Sequence, residues 1–284
     1  MTLRELLLCA VEILQKAEID SPEVDASLLL EAAIEISERD FRMHKDEEIS
    51  RENEALALSY VDRRAKGEPT QYITGYWEFF GEKFFVGKGV LIPRDDTEVV
   101  LRASIDYLRT LDKKNPTILD ICSGSGILAI TLKKLFPNAQ VSAIEISEDA
   151  LVYLNKNKDF HNADINVIEG DLFEVYSQFE NEYFDLIISN PPYITKEDMK
   201  TLSDEVLHEP ELALYGGEDG CDFIRGIVSL YTSKLKNGGM LSLELDSDEA
   251  PYSTALMKQN GFEDTKIFDD LGGIHRAVTG VRRK

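Results

Sequence analysis

Four consecutive residues, Asn190-Pro191-Pro192-Tyr193, combine groups that suit the binding of one planar nitrogen. The Asn190 side-chain oxygen and the Pro191 carbonyl can both accept hydrogen bonds from a single NH2 group. Consecutive prolines remove backbone donors and keep the chain extended, and the Tyr193 ring offers a flat face to a planar group. This tetrad therefore predicts a site that orients an amide or aromatic amino nitrogen.

A nitrogen of this kind is a poor nucleophile, because its lone pair is delocalised into the adjacent π system. Holding both N–H bonds and pointing the nitrogen at an electrophilic methyl group favours pyramidalisation and in-line attack through positioning and dipoles. No general base is required, because the proton can leave to water after methylation. Asn-Pro-Pro is also ordinary turn chemistry, so its interpretation depends on the rest of the sequence.

A glycine-rich turn follows a buried apolar segment earlier in the chain. It contains Asp120, Cys122, Ser123, Gly124, Ser125 and Gly126. Glycine lets the backbone turn sharply and approach a ligand closely. About twenty residues further on, Glu145 ends the next predicted strand, where a carboxylate can bind both hydroxyls of a ribose. Together these features predict a ligand that contains adenosine.

The glycine turn alone would also suit a protein that binds a nicotinamide dinucleotide. Two acids favour S-adenosylmethionine instead. Asp120 could hold the ammonium group of that ligand, directly or through water, and Asp171 could accept from the adenine amino group. The alternative is that Asp120 only caps the turn and Asp171 only caps a helix.

From Thr97 onward, helical and strand patterns alternate, which indicates an α/β fold with a Rossmann-like, mostly parallel sheet. The strand candidates are residues 117–121, 141–145, 166–168, 185–189 and 240–245, and a terminal hairpin is predicted from 266–268 and 274–280. Parallel strands end at the same edge of a sheet. The glycine turn, Glu145 and the tetrad should therefore meet there.

Residues 2–66 have apolar side chains at helical spacing and predict a small all-helical domain. One helix should begin at Ser21-Pro22, with the serine side chain accepting from the first backbone amides. Another should begin after a Ser50 cap and end at Gly67.

Between this helical region and the α/β region, the apolar period changes to two, which predicts a β-hairpin turning near Gly81. The predicted domains are a helical bundle (1–74), a hairpin connector (75–94) and a catalytic domain (95–284).

The net charge of -22 over 284 residues repels polyanions and argues against direct binding of nucleic acid. The compact basic cluster at 282–284 is interpreted as a solvated end. Cys9, Cys122 and Cys221 have no metal-binding spacing, so no metal is predicted. Because neither a long apolar run nor a cleavable signal is evident, we expect a cytoplasmic protein without a membrane span.

Taken together, the sequence resembles the HemK or PrmC family, the protein-glutamine N5-methyltransferases that modify peptide chain release factors. The resemblance covers nearly the whole chain. Besides the glycine turn and the tetrad, it rests on Ser21-Pro22, Glu68-Pro69-Thr70-Gln71-Tyr72-Ile73-Thr74-Gly75, Leu91-Ile92-Pro93-Arg94, Thr97-Glu98, Glu209-Pro210, Ala213-Leu214, Gly216-Gly217-Glu218-Asp219-Gly220 and Asp270-Leu271.

The resemblance implies a class I S-adenosylmethionine-dependent methyltransferase fold. The methyl acceptor that it implies is the side-chain amide of the glutamine in the Gly-Gly-Gln motif of release factors. It also implies that the helical domain helps to dock the release factors. By the same resemblance, Asn190 and Pro191 bind the glutamine amide, and Tyr193 packs beside it. Residues 122–126, Glu145, Leu172 and Asn190 line the cofactor.

Several positions depart from the pattern of that family. They are Asp95-Asp96 for the commoner Pro-Glu, Glu145 for aspartate, Tyr215 for aspartate, Asp246 in a segment that lacks the usual Gly and Gln after Glu244, and the middle of Gly273-Ile274-His275-Arg276. Glutamate at 145 keeps a ribose carboxylate with a longer reach. The other changes bear on affinity and on the partner more than on the class of reaction.

Two other functions compete with this interpretation. An N6-adenine methyltransferase of DNA or RNA could use the same tetrad, because adenine also presents a planar NH2 group. A non-catalytic or dinucleotide-binding protein could use the same glycine turn.

Overall fold

The structure, a computed structural model, describes residues 1–283 and, of Glu38, only the backbone. The chain forms two compact units. The first contains Met1–Trp77, Val86–Lys88 and Ser203–His208, and the second contains 78–85, 89–202 and 209–283. Lys284, which ends the predicted catalytic domain and its basic cluster, lies outside the described residues.

The first unit is helical, as predicted. Its helices are α1 (Leu3–Lys16), α2 (Pro22–Ile34), α3 (Glu38–His44), α4 (Arg51–Ala65) and α5 (Thr70–Thr74). Ser50 caps α4 by accepting from the Asn53 N–H at 3.0 Å, as expected. Ser21 precedes α2, but its side chain makes no capping bond within the described chain, and that expectation was wrong. Its ψ of 58° departs from the extended backbone of a capping residue.

A buried arginine joins a distant segment to this unit. Arg64 is 5% exposed, and its Nε donates to Asp25 Oδ2 at 2.6 Å. Its Nη2 donates to Glu205 Oε2 at 2.7 Å. Glu205 lies in Ser203–His208, which the predicted boundaries assign to the catalytic domain. The first unit therefore includes a piece of the loop that follows the tetrad.

The predicted hairpin is present as β1 (Tyr76–Phe79) and β2 (Glu82–Phe85). Phe80 and Gly81 between them have φ of 53° and 74°. Two consecutive residues with positive φ are typical of the tight turns that match the twist of paired strands. The predicted turn near Gly81 is confirmed.

The second unit is built on a seven-stranded sheet with the strand order β5-β4-β3-β6-β7-β9-β8. The strands are β3 (Thr117–Ile121), β4 (Gln140–Glu145), β5 (Ile165–Glu169), β6 (Phe184–Ser189), β7 (Leu235–Glu244), β8 (Phe262–Asp269) and β9 (His275–Arg282). The first five are parallel to one another, and β9 runs antiparallel to β7 and β8. The predicted strands and terminal hairpin are confirmed.

Helices cover both faces of this sheet. They are α6 (Thr97–Thr110), α7 (Ile127–Leu135), α8 (Glu148–Phe160), α9 (Leu172–Val175), α10 (Asp222–Tyr231) and α11 (Ala250–Gln259). Ile118 and Leu119, neighbours on β3, belong to two different apolar cores. Successive strand residues point to opposite faces, so every residue of the central strands β3 and β6 is buried. No helix within residues 1–283 is long and apolar enough to cross a membrane.

Candidate active site

A cavity of about 200 Å³ lies where β3, β4 and β6 end. The predicted site residues in its wall are Cys122, Ser123, Gly124, Ser125, Glu145, Asp171, Leu172, Asn190 and Pro192. The strands β4 and β5 lie on one side of β3, and β6 and β7 lie on the other side. Open α/β sheets bind ligands at such a point, where the strand order reverses. The structure thus brings the glycine turn, the acid after β4 and the tetrad to one cavity.

The glycine turn leaves room for a ligand at one position. Gly124 has a φ of +54°, and within the described residues nothing lies within 4 Å of where a Cβ would stand. Gly126 has a different role, since a Cβ there would meet Ile130 and Leu154 at 3.0 and 3.3 Å. Gly124 therefore keeps the cavity open, whereas Gly126 allows the start of α7 to pack closely against Leu154 of α8.

Glu145 is fastened to the turn by its carboxylate. Its Oε2 accepts from the Gly124 N–H at 2.7 Å, and its Oε1 accepts from the N–H groups of Ile146 and Ser147 at 2.9 and 2.8 Å. Burial raises the pKa of Glu145, and these three amides oppose that shift. A carboxylate oxygen can accept more than one bond, so Oε2 retains capacity for a ribose hydroxyl.

Asp120 lies behind the glycine turn and outside the cavity wall. Its Oδ2 accepts from the Ala129 N–H in the first turn of α7 at 3.1 Å. Its Oδ1 is buried without a hydrogen-bond partner in the part of the chain that the structure describes. Burial raises the pKa of Asp120 to about 7. This geometry corresponds to the capping alternative and does not support direct contact with a ligand ammonium.

Asp171 caps a helix and also lies in the cavity wall, and its predicted contact with adenine stays a prediction. Its Oδ1 accepts from the Phe173 N–H at 2.9 Å and caps α9. The residue also belongs to the cavity wall beside Leu172. The cap fixes the side chain at the wall, where the second oxygen can face a ligand.

The Asn190 amide at the end of β6 is held in one orientation. Its Nδ2 donates to Thr97 Oγ1 at 3.2 Å, and Thr97 is fully buried at the start of α6. Because the NH2 group is engaged there, Oδ1 is the end of the side chain that can accept from a ligand. Asn190 therefore presents an acceptor to the cavity.

Tyr193 and Pro191 stand outside the cavity wall, although the sequence predicts both as site residues. The Tyr193 hydroxyl lies 3.5 Å from Glu244 Oε1. Burial raises the pKa of Tyr193 well above its usual value, so the hydroxyl stays protonated. The predicted packing of Tyr193 against the substrate stays a prediction.

The wall of the cavity provides what an adenosine-containing cofactor requires. It combines a buried carboxylate at Glu145, the open space over Gly124 and apolar side chains from Leu128, Ile144 and Phe173. The residues present fit such a group. Within residues 1–283 no cluster of His, Cys, Asp or Glu is arranged to hold a metal ion.

Known proteins resemble this chain in both of its parts. Residues 5–75 match the family model of the PrmC N-terminal domain, and residues 100–218 match that of the methyltransferase small domain. A release factor glutamine methyltransferase of Deinococcus radiodurans is 38% identical over 282 residues, covering 99% of each chain. The chain belongs to the release factor glutamine methyltransferase family. The family assignment made from sequence is confirmed.

Two further comparisons agree with this family. The release factor glutamine methyltransferase of Geobacter sulfurreducens is 37% identical, over 98% of this chain and 96% of that protein. Among solved structures, a methyltransferase from Pyrococcus furiosus has a TM-score of 0.53 and 18% identity, covering 72% of this chain and 91% of that one. At that identity it shows the fold alone, and the predicted methyltransferase fold is confirmed.

Two departures from the usual pattern of the release factor glutamine methyltransferases have structural roles. Asp96 forms an ion pair with Arg276 at 3.1 Å. Asp246 caps the turn after β7: its side chain accepts from the Asp248 N–H, and its own N–H donates to Glu249 Oε2. Both substitutions therefore stabilise loops at the sheet edge that carries the tetrad.

The sequence patterns do not mark Thr97 and Glu244 as site residues, yet both adjoin the tetrad. Glu244 is an acid with 1% exposure, and it ends the buried second half of β7, in which the preceding residues 240–243 are apolar or small. A buried acid at the carboxyl end of a parallel strand is a signal that could have found it. For Thr97 the one signal is the family resemblance of Thr97-Glu98, because its residue type alone is ordinary for the first turn of a helix.

Arg94, in the wall of the same cavity, is fixed by the segment around Glu209. Its Nη2 donates to Glu209 Oε1, and Glu209 Oε2 accepts from the Ile92 N–H at 2.8 Å. The Glu209 side chain is almost fully buried. Two segments that carry the family resemblance, around Pro93-Arg94 and Glu209-Pro210, thus form one wall of the cavity.

Proposed function

We propose that this chain transfers a methyl group from S-adenosylmethionine to the side-chain amide nitrogen N5 of a glutamine. The glutamine is that of the Gly-Gly-Gln motif in peptide chain release factors. One observation carries the proposal: Asn190, with its amide oriented by Thr97, shares a cavity with the glycine turn and Glu145. An acceptor for an NH2 group thus stands beside a site for adenosine.

Residues of the wall would hold the cofactor in defined ways. Glu145 would accept from the ribose hydroxyls and Asp171 from the adenine amino group, while the backbone at Gly124 would lie against the ligand. S-adenosylmethionine supplies an electrophilic methyl group on a positively charged sulfonium. Asp120 would act indirectly: its hydrogen bond from the Ala129 N–H would fix the start of α7, next to the glycine turn.

The tetrad would prepare the acceptor. Asn190 Oδ1 and the Pro191 carbonyl would each accept one N–H of the glutamine amide, which turns the nitrogen lone pair towards the methyl group. Two fixed acceptors also stabilise the positive charge that develops on the nitrogen. The proton leaves to water after transfer, so no residue of the chain acts as a general base.

The charge of the chain favours a protein over a nucleic acid as the partner. A net charge of -22 opposes the approach of DNA or RNA and suits a protein with a basic face. We therefore propose direct action on release factors in the cytoplasm, with residues 1–74 contributing to docking, 75–94 connecting and 95–284 catalysing. Adenine N6-methylation remains the competing outcome of the test.

The test is methylation of a purified release factor by this chain and S-adenosylmethionine, followed by mass spectrometry of its peptides. One added methyl group should appear on the glutamine of the Gly-Gly-Gln motif, and a release factor with Gln→Asn at that position should stay unmodified. An unmodified wild-type peptide would refute the proposal. Methylated adenine in oligonucleotides, together with steeply salt-dependent binding, would favour the competing function.

A further inference from the structure

A groove of about 690 Å³ lies beside the active-site cavity and takes no part in the proposed methyl transfer. The side chains that it shares with the cavity are those of Phe173, Leu212 and Phe223. The side chains that line the groove and lie outside the cavity wall are those of Glu211, Tyr215 and Asp222. The groove is therefore continuous with the site of methyl transfer.

Tyr215 connects the groove to the tetrad. It forms a parallel β-bridge with Ile194, the residue that follows Tyr193. The Ile194 N–H donates to Leu214 O at 2.8 Å, and the Gly216 N–H donates to Ile194 O at 2.9 Å. These hydrogen bonds hold the backbone of the groove beside the backbone that leaves the tetrad.

The surface that the groove shares with the cavity is apolar and partly exposed. Phe173 is 41% exposed, and Leu212 is 52% exposed. The Phe173 ring packs over Gly226 of α10, where a Cβ would stand 2.3 Å from the ring atom Cε1, and its centroid lies 5.9 Å from that of Phe223. Because this packing fixes the ring before a partner binds, a contact with it costs less entropy. Exposed apolar surface with a polar rim is typical of a binding site.

The rim of the groove is acidic. Glu211 and Asp222 are both exposed. Arg225 pairs with Asp222 at 2.5 Å, but it also donates two hydrogen bonds of 2.9 Å to Asp219. Two acids thus share one arginine, and together with Glu211 they leave the rim with an excess of negative charge. A complementary partner presents an apolar side chain and a basic side chain.

The glutamine of the proposed reaction belongs to a polypeptide, and only its side chain has to reach Asn190. The residues that flank the glutamine must therefore lie outside the cavity. The groove offers them a surface that begins at the cavity wall and carries both apolar and acidic groups. A nucleic acid in this place would be repelled by the acidic rim.

We propose that the groove binds the stretch of the release factor that lies next to the methylated glutamine. An apolar side chain of that stretch packs against Tyr215 and the Phe173 ring, and a basic side chain faces Glu211 and Asp222. The proposal rests on the proposed glutamine methylation, because it names the part of that substrate which lies outside the cavity. It predicts an effect on affinity for the release factor and not on the transfer step.

The first experiment changes two side chains that line the groove and lie outside the cavity wall. Tyr215→Ala and Glu211→Lys should each raise the KM for a release factor by about fivefold or more, as the loss of a central interface contact does. The kcat at saturating release factor and the Kd for S-adenosylmethionine should stay within about twofold of wild type. An unchanged KM in both variants would overturn the proposal.

Tyr183→Ala and Glu263→Lys are the matched controls, because both residues are exposed and stand outside the groove and the cavity wall. Both variants should keep the KM of wild type. Urea denaturation checks that each variant is folded, and Glu211→Lys, at an exposed side chain, decides the matter if Tyr215→Ala does not fold. Increases in KM that are as large in the controls as in the groove variants would overturn the proposal.

A charge exchange tests whether Glu211 faces a basic residue. Each Lys or Arg that flanks the glutamine in the release factor is changed to Glu in turn. One of these changes should raise the KM with the wild-type enzyme by about fivefold or more. Glu211→Lys should then restore most of the loss, because the exchanged charges attract each other again. If none of the altered release factors is restored in this way, the proposed contact is wrong.

Binding without turnover separates this proposal from the proposed function. With S-adenosylhomocysteine in place of S-adenosylmethionine, the Kd for the release factor should rise in Tyr215→Ala and in Glu211→Lys as the KM does. A wild type that binds the release factor without methylating it refutes the function, whereas normal binding by both variants of an active enzyme refutes the role of the groove.

Two other occupants of the groove give different results. If the groove held part of the cofactor, Tyr215→Ala would weaken S-adenosylmethionine binding as much as release-factor binding. If the groove held a second copy of this chain, sedimentation would show a dimer that dissociates in Glu211→Lys. Either result would overturn the proposal.

Discussion

The Glu145 carboxylate accepts a 2.7 Å hydrogen bond from the Gly124 backbone N–H. This bond connects the end of β4 to the turn after β3. It therefore fixes the position of the Glu145 carboxylate relative to Gly124, the glycine that leaves room for a ligand. The neighbouring strand has an acid in the same register, Glu169, but that side chain is exposed. Only Glu145 of this pair belongs to the cavity wall.

Glu145→Ala should weaken S-adenosylmethionine binding by about 10- to 100-fold, because a hydrogen bond to a charged group contributes about 1.5–3 kcal/mol. At saturating cofactor, kcat should change little, since Glu145 does not contact the acceptor nitrogen. Isothermal titration calorimetry measures the first effect and steady-state kinetics the second. Glu169→Ala is the control and should bind like wild type. A Kd for Glu145→Ala equal to that of Glu169→Ala would contradict the assignment.

The position of the cavity could be predicted from sequence, because the carboxyl ends of parallel strands share one edge of the sheet. The direction of Asp120 could have been predicted as well. Residues 118 and 120 of a strand point to the same face, and Ile118 packs in the core that includes α7 residues. Asp120 must therefore point at α7, where it accepts from the Ala129 N–H, and it lies outside the cavity wall.

The contacts of Thr97 with Asn190 and of Glu244 with Tyr193 could not be predicted in this way. They join α6, the segment after β6, and β7, whose side chains meet only after the sheet has formed. Local patterns determine which residues form each element and which face is buried. They do not determine which polar side chain of one element reaches a polar side chain of another.

Asn190→Ala should lower kcat by roughly 10²- to 10³-fold, comparable to the loss of a donor or acceptor that stabilises a transition state. The Kd for S-adenosylmethionine should rise much less, because Asn190 contributes only one part of the cavity wall. Single-turnover methylation and calorimetry measure the two effects separately. Equal losses in turnover and in cofactor affinity would show that Asn190 binds the cofactor and does not hold the acceptor.

Gly216→Ala should disrupt the tetrad from outside the cavity. A Cβ at Gly216 would lie 2.5 Å from Gly220 O, 2.6 Å from Tyr193 Cα and 2.8 Å from Pro192 O, and all three are backbone atoms that cannot simply rotate away. We expect a loss of about 1–3 kcal/mol in the free energy of unfolding. The kcat should also fall by more than about tenfold, because the Asn190 orientation depends on the neighbouring backbone.

The matched control for Gly216→Ala is Gly272→Ala, in the exposed β8–β9 turn. Within the described residues, a Cβ there would meet the Asp270 side chain alone, at 3.1 Å. Urea denaturation and steady-state kinetics should show both losses for the first variant and neither for the second. Wild-type kinetics in Gly216→Ala would mean that the tetrad tolerates a shift of this backbone.

Stability should increase on acidification, because burial raises the pKa of three carboxyls. They are Asp120 and Glu244, each with a pKa of about 7, and Glu249, with a pKa of about 8. A carboxyl with a raised pKa binds its proton more tightly in the folded state than in the unfolded state. Its stabilising contribution is complete below the ordinary pKa and is lost as the pH rises through the raised pKa.

Glu244→Gln isolates one of these contributions, since glutamine does not titrate. Glu244 loses its stabilising contribution as the pH rises from its ordinary pKa of 4.5 to its raised pKa of about 7. Besides burial, Asp96 raises the pKa of Glu244, and Arg276 and Tyr193 lower it. At about 1.4 kcal/mol per pKa unit, wild type should gain roughly 3 kcal/mol more than Glu244→Gln between pH 8 and pH 4.5. Urea denaturation of the cofactor-free protein across this range measures the difference. The exposed control Glu169→Gln should follow wild type, and parallel curves for wild type and Glu244→Gln would mean that Glu244 is already ionised below pH 5.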